Sequence, residues 1–71
     1  MRDEDLIRMA RQIADFFEPY GHEETVAGIA THMRNFWDPR MRTQIIALAN
    51  QKPDSLPEPV REAVNRLASP A

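Results

Sequence analysis

The sequence predicts an all-α domain, a small bundle of four short helices. Apolar side chains recur at three- and four-residue intervals in four separate stretches, which is the spacing of one helical face. Prolines, in one case with a glycine, interrupt the chain between these stretches. Nowhere do apolar and polar residues alternate over the length of a β-strand. The 71 residues are expected to form one domain, residues 1–71, which on folding buries only about 60% of the surface of the unfolded chain.

The first helix is expected over residues 3–18. Three acidic residues begin it, at Asp3, Glu4 and Asp5, where the helix dipole favours negative charge. Ile7 lies on the shoulder of the apolar stripe and is expected to stay partly exposed. Pro19 and Gly21 then break the chain. The stripe itself consists of large and small apolar residues: Leu6, Met9, Ala10, Ile13, Phe16 and Phe17.

The second helix is expected over residues 23–37. Its stripe should face that of the first helix in an antiparallel hairpin, so that Ile13, Phe16 and Phe17 are buried against it. Gly28 lies inside this helix, where it costs about 1 kcal/mol relative to alanine. It is either a tolerated residue or a point at which another backbone approaches closely. The stripe consists of Val26, Ile29, Ala30, Met33, Phe36 and Trp37.

The third helix is expected over residues 39–50, because Asp38-Pro39 both ends one helix and starts the next. Proline cannot continue the preceding helix, but it suits the first position of a new one, and Asp38 is a favourable N-cap. The stripe of this helix is narrow, and Ile46 points away from it as a second candidate for an exposed apolar side chain. The stripe consists of Met41, Ile45, Leu48 and Ala49.

The fourth helix is expected over residues 57–68. Ser55 and Glu58 have the spacing of a capping box, in which serine and glutamate each bond the other's backbone N–H. Residues 69–71 are expected to fray. The apolar stripe consists of Val60, Ala63, Val64 and Leu67.

Composition limits the classes of function. The chain has no cysteine, and His22 and His32 are its only histidines, so we expect no metal site and no thiol nucleophile. No catalytic motif or phosphate-binding loop is present, so no catalytic or cofactor-binding residue is assigned. No apolar run is long enough to span a membrane, and the charged N-terminus is unlike a signal peptide. The expected location is therefore the cytoplasm. A net charge of −2 argues against general binding of nucleic acid.

One corner of the predicted fold is a candidate for binding a partner protein. Arg40 and Arg42 fall in the first turn of the third helix, where the helix dipole disfavours them. Trp37 and Arg34 precede them, and tryptophan and arginine are enriched at binding hot spots. The candidate residues are Arg34, Trp37, Asp38, Arg40, Met41 and Arg42. The alternative is that Trp37 belongs to the core and the arginines pair with nearby carboxylates.

Two other classes of function stay open. The second and third helices resemble a helix-turn-helix unit that would present polar side chains of the third helix to DNA; they are Arg40, Arg42, Thr43 and Gln44. Salt-sensitive DNA binding would support that class. The third class is a self-associating helical protein, which a stable homodimer would support.

Most of the chain resembles the small delta subunit of NAD-dependent, molybdenum-containing formate dehydrogenases. The resemblance is carried by Met9-Ala10-x-Gln12-Ile13, Phe16-Phe17, Val26-Ala27-Gly28-Ile29-Ala30 and, most specifically, Phe36-Trp37-Asp38-Pro39-Arg40-Met41-Arg42. It implies a non-catalytic accessory subunit without a cofactor of its own, which binds the catalytic subunit and supports assembly or stability of the enzyme. The complex would oxidise formate to carbon dioxide and reduce NAD. Molybdenum or tungsten pterin, iron–sulfur clusters and FMN would lie in the other subunits.

Overall fold

The computed structural model describes residues 1–69, and over this range the chain forms four α-helices and no strand. The predicted all-α bundle of four short helices is confirmed, and each boundary lies within one residue of its expected position. The frayed tail expected at residues 69–71 falls outside the described residues except for Ser69. The helices are α1 (Asp3–Phe17), α2 (His22–Phe36), α3 (Pro39–Gln51) and α4 (Glu58–Ala68).

A short 3₁₀ turn, Glu18–Tyr20, and one glycine reverse the chain between α1 and α2. Gly21 has a φ of 96°, a conformation that costs other residues strain. Thr25 holds this reversal together, because its buried hydroxyl donates hydrogen bonds to the carbonyl oxygens of Gly21 at 2.7 Å and Phe17 at 3.0 Å. One threonine thereby fixes the end of α1 against the first turn of α2.

The N-cap of α3 is as predicted and the N-cap of α4 is not. Asp38 caps α3, with its Oδ1 accepting a hydrogen bond from the Met41 N–H at 2.9 Å. The prediction of a capping box at α4 is wrong. Pro57 occupies the N-cap position, and the Ser55 hydroxyl donates a hydrogen bond back to the carbonyl of Lys52 at 2.6 Å. A 3₁₀ turn ends at Ser55 and is followed by the extended Leu56, so the serine lies too far from the helix start.

The core draws on all four helices and on two residues between helices, Trp37 and Leu56. Helix α2 packs most extensively against α4, and less against α1. Two polar contacts also join the first turn of α2 to α4: His22 Nε2 lies 2.8 Å from Glu62, and Arg66 lies 2.8 Å from Glu23. The buried apolar residues are Leu6, Ala10, Ala14, Val26, Ile29, Ala30, Met33, Trp37, Ile45, Leu48, Leu56, Val60, Ala63 and Val64.

Two phenylalanines predicted to lie in the core are instead exposed. Phe16 has 68% of its surface accessible and Phe36 has 75%, whereas Ile29 and Met33 are buried as expected. For Phe36 the reason is the direction that α2 faces. Its buried stripe faces α4, and Phe36 lies about 60° around the helix from Met33. Trp37 fills the core, because α2 ends before it and its extended backbone turns the indole inward.

Four other apolar side chains lie at the edge of the core. Ile13 and Phe17 are only partly buried. Ile7 is partly exposed, as expected, and Ile46, the second candidate for an exposed apolar side chain, is also partly buried; both pack against the core. Neither therefore forms an open apolar surface, and the exposed apolar area of the hairpin lies with the phenylalanines instead.

Candidate functional site

The predicted partner-binding residues between Arg34 and Arg42, which we call the arginine corner, are of two kinds: some hold the fold and others face solvent. Trp37 is 4% exposed, so it has almost no side-chain surface to offer a partner, and Met41 packs against the core. Asp38 is occupied as the cap of α3. Arg34 and Arg40 are exposed, and no ion pair or hydrogen bond joins either side chain to another residue in the described range 1–69.

Arg42 has an intramolecular role that the sequence analysis did not assign to it. Its Nη1 donates to the carbonyl oxygen of Trp37 and, at 3.4 Å, to that of Arg34. These carbonyls lie at the C-terminal end of α2, where the dipole is negative and intrahelical donors run out. Arg42 therefore opposes the dipole of its own helix but stabilises the end of the preceding one. The expectation from the dipole of α3 therefore left out a contact through which Arg42 stabilises the domain.

Arg61 repeats this arrangement in the first turn of α4. Its Nη1 donates to the carbonyl oxygens of Leu56 at 2.7 Å and Pro53 at 3.1 Å, five and eight residues earlier, as with Arg42. Both arginines follow a buried residue in a connection, Trp37 in one case and Leu56 in the other. The arginine spacing is thus a structural device of this fold, which weakens its value as a sign of partner binding.

The residues proposed for DNA contact are also partly occupied. Gln44 donates hydrogen bonds to the carbonyl of Met1 at 2.7 Å and to Asp3 Oδ1 at 2.8 Å, which ties α3 to the start of α1. Arg42 is held by α2, as described above. Two of the four candidate readers are therefore engaged within the chain.

The most distinctive surface is an aromatic face where α1 and α2 meet, which the sequence analysis missed. We define the aromatic face as Met9, Ile13, Phe16, Phe17, His32 and Phe36. Two adjoining surface depressions expose these side chains, and they share Phe17 and His32, so the face is continuous. Its rings contact one another. The ring centroids of Phe16 and Phe17 are 5.0 Å apart in an edge-to-face contact, and those of His32 and Phe36 are 4.9 Å apart.

Gly28 shapes this face. A Cβ atom at this position would lie 2.7 Å from Cε1 and Cζ of the Phe17 ring, well inside van der Waals contact. The glycine therefore lets the ring lie directly on α2. The close approach allowed for in the sequence analysis is real, but the group that approaches is a side-chain ring and not a backbone.

The width of the apolar stripes of α1 and α2 was a sequence signal for this face. Both helices carry more large apolar side chains than one packed seam can bury, and small alanines occupy several of the most buried positions. Ala10 and Ala14 on α1 and Ala30 on α2 are all buried, and they fill little of the space between the helices. The larger rings at the edge of each stripe are consequently left outside.

One cluster has the donor atoms of a metal site. His22, Glu58 and Glu62 each place one ligand-type atom within 4.8 Å of the others. His22 and Glu62 are already joined by the 2.8 Å contact between α2 and α4, which explains their proximity without an ion. All three side chains are exposed or half-buried. We therefore assign the cluster to helix packing.

Comparisons with known proteins identify a family. The family model described as NADH-dependent formate dehydrogenase delta subunit FdsD matches residues 5–64, which include α1 except for its first two residues, all of α2 and α3, and more than half of α4. Comparison with curated proteins and with solved structures found no match. Within residues 1–69, no helix is both long and apolar enough to cross a membrane. The family match spans most of the chain and agrees with the resemblance of its Phe36–Arg42 stretch, and the protein therefore belongs to the formate dehydrogenase delta subunit family.

Proposed function

We propose that this chain is a non-catalytic accessory subunit of a cytoplasmic NAD-dependent formate dehydrogenase. It binds the catalytic subunit and supports the assembly or stability of the active complex. Formate oxidation and NAD reduction take place in other subunits, which carry the molybdenum or tungsten pterin, the iron–sulfur clusters and FMN. The family match over residues 5–64 is the observation that carries this proposal.

Several polar side chains form contacts within the domain, and this supports an accessory role. Arg42 and Arg61 bind carbonyl oxygens at helix ends and turns, and Thr25 closes the reversal between α1 and α2. His22 and Arg66 join α2 to α4. These groups hold a small domain in shape, and the domain in turn presents a surface that a partner can cover.

A partner that binds only the folded form of another protein stabilises it by mass action. The gain is about 2.7 kcal/mol when the free partner is present at a hundred times its dissociation constant. This is a sufficient physical mechanism for an accessory subunit that contributes no catalytic group. It acts on the amount of correctly folded catalytic subunit and leaves the rate at each assembled centre unchanged.

Removal of the gene from its native cell tests the proposal. We expect total formate-dependent NADH production and recovery of intact catalytic subunit to fall together, and both to return with a plasmid copy. The activity per metal-loaded catalytic subunit should stay the same. An unchanged yield of active enzyme in the deletion strain would contradict the proposal, and a loss of activity per loaded centre would indicate a direct role in catalysis.

A further inference from the structure

The aromatic face is the part of the described surface that lacks an explanation within the domain. Phe16 and Phe36 are 68% and 75% exposed, and they flank two depressions lined mainly by apolar atoms. Gly28 keeps the Phe17 ring seated between them. A contiguous exposed apolar surface is typical of an interaction site.

We infer that the aromatic face docks on the catalytic subunit and receives the apolar side of an amphipathic helix from it. This inference rests on the proposed function, which supplies the partner. A groove between two helices accommodates a third helix through anchors spaced three or four residues apart. The residues that line the depressions run from Met9 to Phe17 on α1 and from Glu24 to Phe36 on α2, so the groove is about 12–18 Å long and matches about two to three turns of such a helix.

The charges around the groove favour a different protein over a second copy of this chain. Glu24 is the only charged side chain among the described residues that line the two depressions. Covering the face would desolvate this carboxylate, which then needs a cationic neighbour. The lining of the two depressions contains no arginine or lysine, so a second copy pairing through the same depressions brings none from that lining to Glu24. The catalytic subunit can supply one, and we place a basic residue beside the apolar side of its helix.

An interface of ordinary size would cover only part of this small subunit. An interface of standard size covers roughly 800 Å² on each partner, and the described residues have an accessible surface of 4685 Å². Docking would thus cover about one sixth of the subunit. The exposed rings suit the centre of such an interface, since aromatic anchors dominate binding energy. Arg34 and Arg40 line neither depression.

The test is co-purification of the chain with a tagged catalytic subunit from cells that express both. Variant one is Phe16→Gln/Phe36→Gln, which removes two exposed rings. Variant two is Ala27→Arg, which adds a charged side chain to the face at an exposed helical position and removes no packed atom. The double variant should weaken binding at least tenfold, since truncating one hot-spot residue usually costs that much or more. Ala27→Arg should weaken binding to a similar extent.

Two controls separate this surface from the arginine corner and from unfolding. Arg34→Ala/Arg40→Ala should co-purify as well as the wild type, and so should Arg11→Ala, which changes an exposed residue of α1 outside both depressions. Circular dichroism should show the same helical content in every variant. Full co-purification of both face variants would overturn the inference, and loss only with Arg34→Ala/Arg40→Ala would move the interface to that corner.

Two other outcomes have separate meanings. Failure of the wild-type chain to co-purify would refute the proposed function, and the inference with it. A wild-type homodimer that Phe16→Gln/Phe36→Gln dissociates, with co-purification of the catalytic subunit unchanged, would identify a second copy as the occupant and overturn the inference alone.

Discussion

Neighbouring aromatic residues at the end of α2 should have opposite effects on stability. Phe36 is the last residue of the helix and is 75% exposed, whereas Trp37 is the next residue and is 4% exposed. Burial, and not ring size, decides how much each contributes. We therefore expect Trp37→Ala to be severe and Phe36→Ala to be mild, which reverses the expectation from the sequence that Phe36 is a core residue.

The expected losses of stability differ enough to separate Trp37→Ala from Phe36→Ala. Replacing a buried aromatic by alanine costs about 3–5 kcal/mol, and a chain of 71 residues has a total stability of about 4–11 kcal/mol. Trp37→Ala should therefore lower the melting temperature by about 12 °C or more, at roughly 4–8 °C for each kcal/mol. Phe36→Ala should change the free energy of unfolding by no more than about 0.5–1 kcal/mol, because little of its ring is buried.

Urea unfolding followed by circular dichroism measures both values. If Trp37→Ala does not fold, Trp37→Phe gives a smaller loss that stays measurable. Trp37 is also the only tryptophan, so its fluorescence in the native wild type should be that of an indole shielded from water. A loss for Phe36→Ala equal to that for Trp37→Ala would refute this account of the core.

Three further predictions concern individual contacts. Arg42→Ala should lower the free energy of unfolding by about 1–2 kcal/mol, because two carbonyls lose a charged donor, whereas Arg40→Ala should leave the urea midpoint unchanged; equal effects would contradict the assigned role. Asp38→Ala should cost about 0.5–2 kcal/mol and Asp38→Asn less, and equal thermal shifts would show that the carboxylate does more than cap. Gly28→Ala should destabilise the wild type but stabilise a Phe17→Ala background by about 1 kcal/mol, since helix propensity then acts without the clash; the same sign in both backgrounds would refute the contact.

Helix positions followed from local chemistry and could be predicted from the sequence. Asp38 and Pro39 fix a helix start through capping and backbone geometry, which depend on a few adjacent residues. The same reasoning failed at Ser55, because the capping-box spacing does not reveal a 3₁₀ turn and an extended residue before the helix. Local rules predicted the helix bounds to within one residue. They predicted the N-cap only where no 3₁₀ turn lies just before the helix.

The choice of which rings are buried could not be made from periodicity alone. Phe36 and Trp37 both lie on the apolar stripe of α2, and only the packing of α2 on α4 decides between them. Arg42 was similarly ambiguous, because its partners are carbonyls of another helix. The aromatic face follows from these tertiary choices. Its docking role, like that of the arginine corner, stays a prediction.

Photo-cross-linking within the native complex tests the central claim most directly. A photoreactive amino acid at Thr31, an exposed position that lines the aromatic groove, should form a covalent adduct with the catalytic subunit. The same group at Arg11, which is exposed outside the groove, should not. An adduct of the catalytic subunit from Arg11 and none from Thr31 would contradict docking through this face, and so would a complex that co-purifies but gives no adduct with that subunit from either position.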